Sequence, residues 1–171
     1  MDSFPTLYTP RLILRKITID DIPALLQYAN NRKIADRIVN IPYPYEEPTA
    51  VFRISYVHQG FKRKTRFVFS IVSKEGQGLI GEISLHLNDK KDGAELGYWL
   101  GEPFWNQGLM KEAIGAVTQF GFQKLKLISI SASCDADNMA SHKVLEHNGY
   151  SLTPSTGKTI IYYLENTTEI A

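Results

Sequence analysis

Three sets of residues in this sequence have the types and spacing to do chemistry. The first is the stretch 97–113, where Gly97, Tyr98, Trp99 and Leu100 read as a strand and a helix starts just beyond Gly108. A helix start presents unpaired N–H groups and the positive end of the macrodipole, so it can hold an anion such as a diphosphate. Glycine at 108 would let that anion approach the main chain closely. Neither GxGxxG nor GxxxxGK[ST] is present, and spacing alone fits an ordinary strand-to-helix turn equally well. The second set is Asn138 and Ser141, a helix cap and a first-turn hydroxyl by position. The third is Cys134 with His86, His142 or His147, which could form a Cys–His nucleophile or leave the cysteine a small residue at a strand end. The histidines show no HExxH-like spacing, so no metal site is expected.

The elements that must position these residues follow from periodicity. Leu12, Ile13 and Leu14 read as a first strand, and Thr18 caps a helix carrying Ile22, Leu25, Leu26 and Ala29, which stops at Asn30 and Asn31. The prolines make IPYPYEEP (41–48) a loop, and a second helix is expected after Pro48 with Val51, Ile54, Ser55 and His58 on one face. Residues 67–72 and 79–87 form a hairpin across the turn 74–77, and 94–100 adds a fourth strand. Met110, Ala113, Ile114, Val117 and Phe120 make a helical stripe ending near Gln123, and 125–133 alternate as a fifth strand. Asp137 or Asn138 caps a last helix that Asn148 and Gly149 stop, and strands at 150–152 and 160–164 finish the sheet. The sum is a mixed α/β domain in which a helix, strand, helix, strand block follows an antiparallel meander.

Composition agrees with one globular domain spanning 1–171: 171 residues, 43% of them hydrophobic and 22% charged. A net charge of +1 is too balanced for a general grip on nucleic acid, and the cluster Lys62, Arg63, Lys64 and Arg66 is expected to be a solvated turn. One cysteine, no leader pattern and no membrane-length apolar run predict a cytoplasmic protein.

The segment YWLGEPFWNQGLMKEA (98–113) resembles the acetyl-CoA motif of the GNAT superfamily of N-acetyltransferases, especially the branch acting on ribosomal-protein N-termini (RimJ/RimL-like). Three further stretches are similar to that branch in the same order: TPRLILRKITIDD (9–21), LIGEISLHL (79–87) and DADNMASHKVLEHNGY (135–150). The resemblance implies a largely antiparallel sheet of six to seven strands, splayed between the fourth and fifth and flanked by about four helices. It also implies acetyl-CoA as co-substrate.

Carried over residue by residue, the diphosphate loop Q/R-x-x-G-x-G/A falls on Trp105, Gly108 and Met110, of which only the glycine matches. Main-chain contacts would come from Gln107, Gly108, Leu109, Met110 and Lys111, with the Met110 side chain turned to the core. The pantetheine arm would lie along Tyr98, Trp99 and Leu100, and the Leu100 N–H would stabilise the oxyanion. Asn138 would contact the cofactor and Ser141 would lie near the thioester sulfur. The family's thiolate-protonating tyrosine is replaced by Leu145, which leaves Ser141 or a water for that role, and a glutamate found in some relatives is Ser133.

An α-amine of pKa about 8 is neutral in roughly one molecule in ten at pH 7, so it needs only a modest base, unlike a lysine. Glu95 is the first candidate for that base, with Glu82 and His86 behind it. The expected activity is direct acetyl transfer to a primary amine, above all a protein N-terminus. Small amines (polyamine, amino acid, aminoglycoside) and a non-catalytic acyl-CoA sensor stay open, and a homodimer is expected only by analogy with relatives.

Overall fold

The β-branched and aromatic runs of the sequence hydrogen bond into one eight-stranded sheet. The computed structural model describes residues 3–76, 78–154 and 157–167, so Gln77 of the expected hairpin turn lies outside the described residues. In chain order the strands are β1 (Leu7–Tyr8), β2 (Leu12–Lys16), β3 (Arg66–Ser73), β4 (Leu79–Leu87), β5 (Gly93–Leu100), β6 (Ser129–Asp135), β7 (Ser151–Leu152) and β8 (Thr159–Glu165). Their spatial order is β1-β2-β3-β4-β5-β6-β8-β7, and β5 with β6 is the parallel pair in an otherwise antiparallel sheet.

Among the described residues five helices flank it: α1 (Ile22–Tyr28), α2 (Arg32–Ala35), α3 (Glu47–Lys62), α4 (Leu109–Gln123) and α5 (Met139–His147). A 3-10 turn, Ile19–Asp21, precedes α1, and the expected cap at Thr18 is present as a capping box closed by Asp21. A short α2 follows where the sequence predicts only a helix stop: Asn31 caps it by accepting from the Lys33 N–H at 2.9 Å. In α3 the buried stripe is Ala50, Ile54, Val57 and Gly60, while Val51 and Ser55 face solvent, so the expected face is rotated. Proline at the second position of α3 is tolerated because its missing N–H would have no partner there.

Two apolar layers result. On one face α4 sets Ala113, Ile114, Val117 and Phe120 against Leu14, Phe69, Ile83 and Leu85, with Leu145 of α5 and Ile130 of β6 in the same layer. On the other face α1 and α3 bring Leu25, Ala29, Ile54 and Val57 against Val68 and Trp99. Met110 packs against the first layer, as its place in the helical stripe implied.

The fifth strand starts four residues later than expected. Lys126 takes φ 59°, and the N–H groups of Leu125 and Leu127 turn back to Phe120 and Gly121, closing the end of α4 instead of joining a ladder. Arg66 is not part of a solvated turn. It opens β3 with its guanidinium 4.0 Å over the Tyr56 ring, and among the described residues nothing accepts from its buried Nε and Nη1.

Candidate active site

A wedge opens between β5 and β6. Their parallel ladder runs from Gly93↔Ser129 to Leu96↔Ala132 and ends there, although both strands continue. Beyond that point β5 stays with β4 as far as Gly81↔Leu100, while β6 follows β8 through Cys134↔Ile160 and Asp135↔Thr159. Each strand keeps its outer partner, and sheet twist parts the inner edges.

The direction of each β5 backbone group follows from the antiparallel alternation. Gly93 O accepts from Asn88 N at 2.9 Å and Gly101 N donates to Ile80 O at 2.8 Å, so the odd-numbered residues between them turn their N–H and C=O to β4. The even-numbered residues turn theirs the other way. Past the end of the ladder, the N–H groups of Tyr98 and Leu100 therefore point into the wedge, while Trp99, expected beside them, has its amide and carbonyl in the β4 ladder. The Leu100 carbonyl is taken by Trp105 Nε1 at 2.6 Å.

The wedge leads to a turn shaped for an anion. Asn106 (φ 59°) and Gly108 (φ 73°) are both left-handed, and Gly108 caps α4. Among the described residues, no acceptor in the chain takes the N–H groups of Gln107, Gly108, Leu109, Met110 or Lys111. Arg11, just before β2, braces this turn: its Nη1 donates to Gln107 O at 2.9 Å, and its backbone N and Nε donate to Glu112 at 2.7 and 2.9 Å. Thr9 also donates to Glu112. Burial raises the Glu112 pKa, but these hydrogen bonds outweigh it and hold the carboxylate below its usual 4.5. A surface cavity of about 470 Å³ adjoins the turn, lined in part by Arg11, Gly108 and Lys111. Free amides, a cation and open space fit a diphosphate, and two amides along the wedge fit an extended amide-bearing arm.

Asn138 caps α5, its Oδ1 accepting from the Ser141 N–H at 3.3 Å. Ser141 then receives the Tyr98 hydroxyl, Tyr98 Oη donating to Ser141 Oγ at 3.2 Å across the wedge. Burial pushes the Tyr98 phenol well above 10, more than the Ser141 hydrogen bond lowers it. Leu145 is fully buried in the α4 layer. Cys134 sits 3.9 Å from His142 Nδ1, and burial raises its thiol, the opposite of nucleophilic activation.

The α1–α3 side carries the other polar groups. Glu95 is exposed and its Oε1 accepts from Ser133 Oγ at 3.0 Å. Ser133, read as a missing base, thus holds the carboxylate named for that role. His86 lies opposite Glu95 on β4 and bonds Ser84 Oγ at 2.9 Å. Burial first, then the charges of Arg66 and Arg53, keep its imidazole below the usual 6.5 against the weaker pull of Glu95. Glu82 is buried; its Oε2 accepts from Trp99 Nε1 at 2.8 Å and Arg53 Nη2 at 3.1 Å, a support for the Trp99 wall. Residues 31–37 lie alongside, tied to Glu102 by Asn31 and Lys33 and to Asp135 and Asp137 by Arg37.

The structure thus gathers Glu95, Tyr98, Leu100 and Ser141 around the wedge and Gln107, Gly108, Leu109, Met110 and Lys111 at its mouth. Sequence reasoning did not anticipate the Tyr98 phenol, the Ser133–Glu95 bond or Arg11. Each depends on a partner 38 to 96 residues away, which local spacing does not reveal.

Comparison with known proteins adds independent findings. A family model described as an acetyltransferase (GNAT) domain matches residues 11–151. The chain is 33% identical over 141 residues to an uncharacterized N-acetyltransferase, p20, of Bacillus licheniformis, covering 82% of this chain and 79% of that protein. It is 34% identical over 83 residues to the ribosomal-protein-serine acetyltransferase of Escherichia coli, covering 48% of this chain and 46% of that protein. Its fold is similar to that of RimL, a ribosomal L7/L12 α-N-protein acetyltransferase solved with coenzyme A (TM-score 0.85, 19% identity, 94% of this chain and 98% of that one).

Proposed function

Because the chain belongs to the GNAT acetyltransferases, which use acetyl-CoA, we propose that it moves the acetyl group directly onto the α-amine of a protein N-terminus. The observation that carries direct transfer is the wedge, where two inward amides on β5 lead to unpartnered amides at the start of α4. No covalent relay is needed when acyl donor and amine are held together, because binding has already met the entropy of their encounter.

The order of groups along the wedge supports the following roles. The α4 turn takes the diphosphate beyond the C-terminal end of β5, so the acyl end lies farther in, where the strands part. The Leu100 amide, nearer the turn, then holds the pantetheine arm. The Tyr98 amide, about 7 Å deeper, faces the thioester oxygen, a revision of the oxyanion role expected of Leu100. Asn138 acts by capping the helix that presents Ser141.

On the acceptor side Glu95 takes the proton of the attacking amine. Its Oε1 is fixed by Ser133, and among the described residues nothing in the chain holds Oε2. An α-amine near pKa 8 loses its proton to a modest base far more readily than a lysine near 10.4. That difference supports an N-terminal acceptor over a side-chain amine, and the likeness to the ribosomal-protein-serine acetyltransferase of Escherichia coli supports a protein acceptor.

The test is thiol release from acetyl-CoA with peptides beginning with Ser, Ala, Thr or Met, beside polyamines, amino acids and aminoglycosides. Turnover on peptides blocked at every lysine supports the proposal. Turnover on small amines alone replaces the acceptor, and tight acetyl-CoA binding with no turnover on any of them makes the chain a sensor.

A further inference from the structure

We infer that the Tyr98 hydroxyl is a positioning group that commits the Ser141 proton to the departing sulfur. The inference rests on the acetyltransferase reading of the wedge and goes beyond it by giving the β5 side chain a duty distinct from that of its backbone.

The geometry fixes which partner donates. Tyr98 Oη donates to Ser141 Oγ at 3.2 Å, and Asn138 holds the first turn of α5 by accepting from the Ser141 N–H. The half-buried phenol is held above its usual 10 and stays protonated, so it keeps the hydrogen that it gives to Ser141 Oγ. Its charged-state neighbours do not alter this: Cys134, Tyr150 and Tyr162 are all held in their neutral forms by burial, assisted at Cys134 by Asp135 and at Tyr162 by Glu146. A hydroxyl that accepts on its oxygen still has its own hydrogen to give. Among the described residues, no carbonyl or side chain accepts that hydrogen, although a serine in a helix commonly gives it to the carbonyl one turn back.

Tyr98 also approaches from the strand opposite α5. Residue 145, where the family resemblance places a proton-donating tyrosine, is a fully buried leucine, so the proton comes from Ser141 on the same helix, oriented by Tyr98 from the opposite wall of the wedge. In the balanced step the amine nitrogen bonds to the acetyl carbon, the C–S bond breaks with its electron pair going to sulfur, and Ser141 gives its proton to that sulfur. Ser141 regains a proton from water, while the amine's proton leaves through Glu95. Tyr98 loses no proton at any stage; it orients the serine.

The experiment titrates the thiol of bound coenzyme A by its ultraviolet thiolate absorbance and measures acetyl transfer, in wild type, Tyr98→Phe, Ser141→Ala, Ser141→Thr and the Tyr98→Phe/Ser141→Ala double variant. The expected result is a bound thiol pKa that rises equally in Tyr98→Phe and Ser141→Ala and no further in the double variant. With it kcat falls on the order of 10- to 100-fold in each. KM for acetyl-CoA stays within about twofold, because the Tyr98 amide is retained. Ser141→Thr, which keeps a hydroxyl, recovers most of kcat and folds whether or not the alanine variant does. A thiol pKa and kcat unchanged by Tyr98→Phe, or losses that multiply in the double variant, overturn the inference. Failure of the wild type to bind coenzyme A at all is the distinct result that removes the acetyltransferase reading beneath it.

Discussion

Replacing Gly108 separates the strain of a left-handed turn from the obstruction of an anion site. Its φ of 73° costs an alanine about 1–2 kcal/mol. Among the described residues an added Cβ meets only Arg11 Nη2, at 3.5 Å, an ordinary contact, so steric overlap adds nothing to that cost. A chain of this size should lose about 2–8 °C of Tm and stay folded. The new methyl stands beside the Arg11 guanidinium, in the open space the diphosphate would enter. Displacing two charge-assisted hydrogen bonds worth about 1.5–3 kcal/mol each raises Kd roughly 10²- to 10⁴-fold. Calorimetric titration with acetyl-CoA, beside urea unfolding, measures both numbers. Gly108→Asn is the control: asparagine tolerates the left-handed region, so it should regain stability and still bind poorly. A Kd within about threefold of wild type in the folded alanine variant would refute the placement of the diphosphate at these amides.

Three further outcomes follow from the same geometry. Leu100→Pro should fold because the N–H it removes faces the wedge, and should bind acetyl-CoA about 3- to 10-fold more weakly than Leu100→Ala; Trp99→Pro, which deletes a β4 ladder bond, should not fold. Glu95→Gln should lower kcat by about 10²-fold or more at pH 7, with the deficit shrinking towards pH 9 as the α-amine loses its own proton; a deficit constant across that range contradicts the base assignment. His86, with its folded pKa below the unfolded 6.5, stabilises the fold fully above 6.5 and loses that contribution as pH falls through its folded value. His86→Gln should therefore flatten the drop in urea stability between pH 7.5 and 5.

Much of this arrangement is legible in the residue order because it is local. The apolar stripe of α4, the Gly108 start, the Asn138 cap and the strand run 79–87 depend on periodicity and on single residues with strong conformational preferences. β6 starts later than its apolar alternation predicts because Leu125 and Leu127 alternate like a strand yet spend their amides on the end of α4, a competition that hydrophobicity does not record. The buried face of α3 differs from the one its periodicity predicts because Val51 and His58 share the spacing of a buried stripe, but the sheet beneath selects Ala50, Ile54 and Val57. At the site, the backbone parity that separates Trp99 from Tyr98 and Leu100 is set by the β4 register. That register is fixed by the turn at Asn88 and Gly93, outside the motif itself.

The most direct measurement is amide hydrogen exchange along β5 and the start of α4, with and without coenzyme A. Residue-level protection is expected to rise on binding at Tyr98, Leu100 and the amides of Gln107 through Lys111, while Trp99, already in the β4 ladder, stays unchanged. Equal protection at Tyr98, Trp99 and Leu100, or none at the α4 amides with coenzyme A bound, would contradict the wedge as its seat.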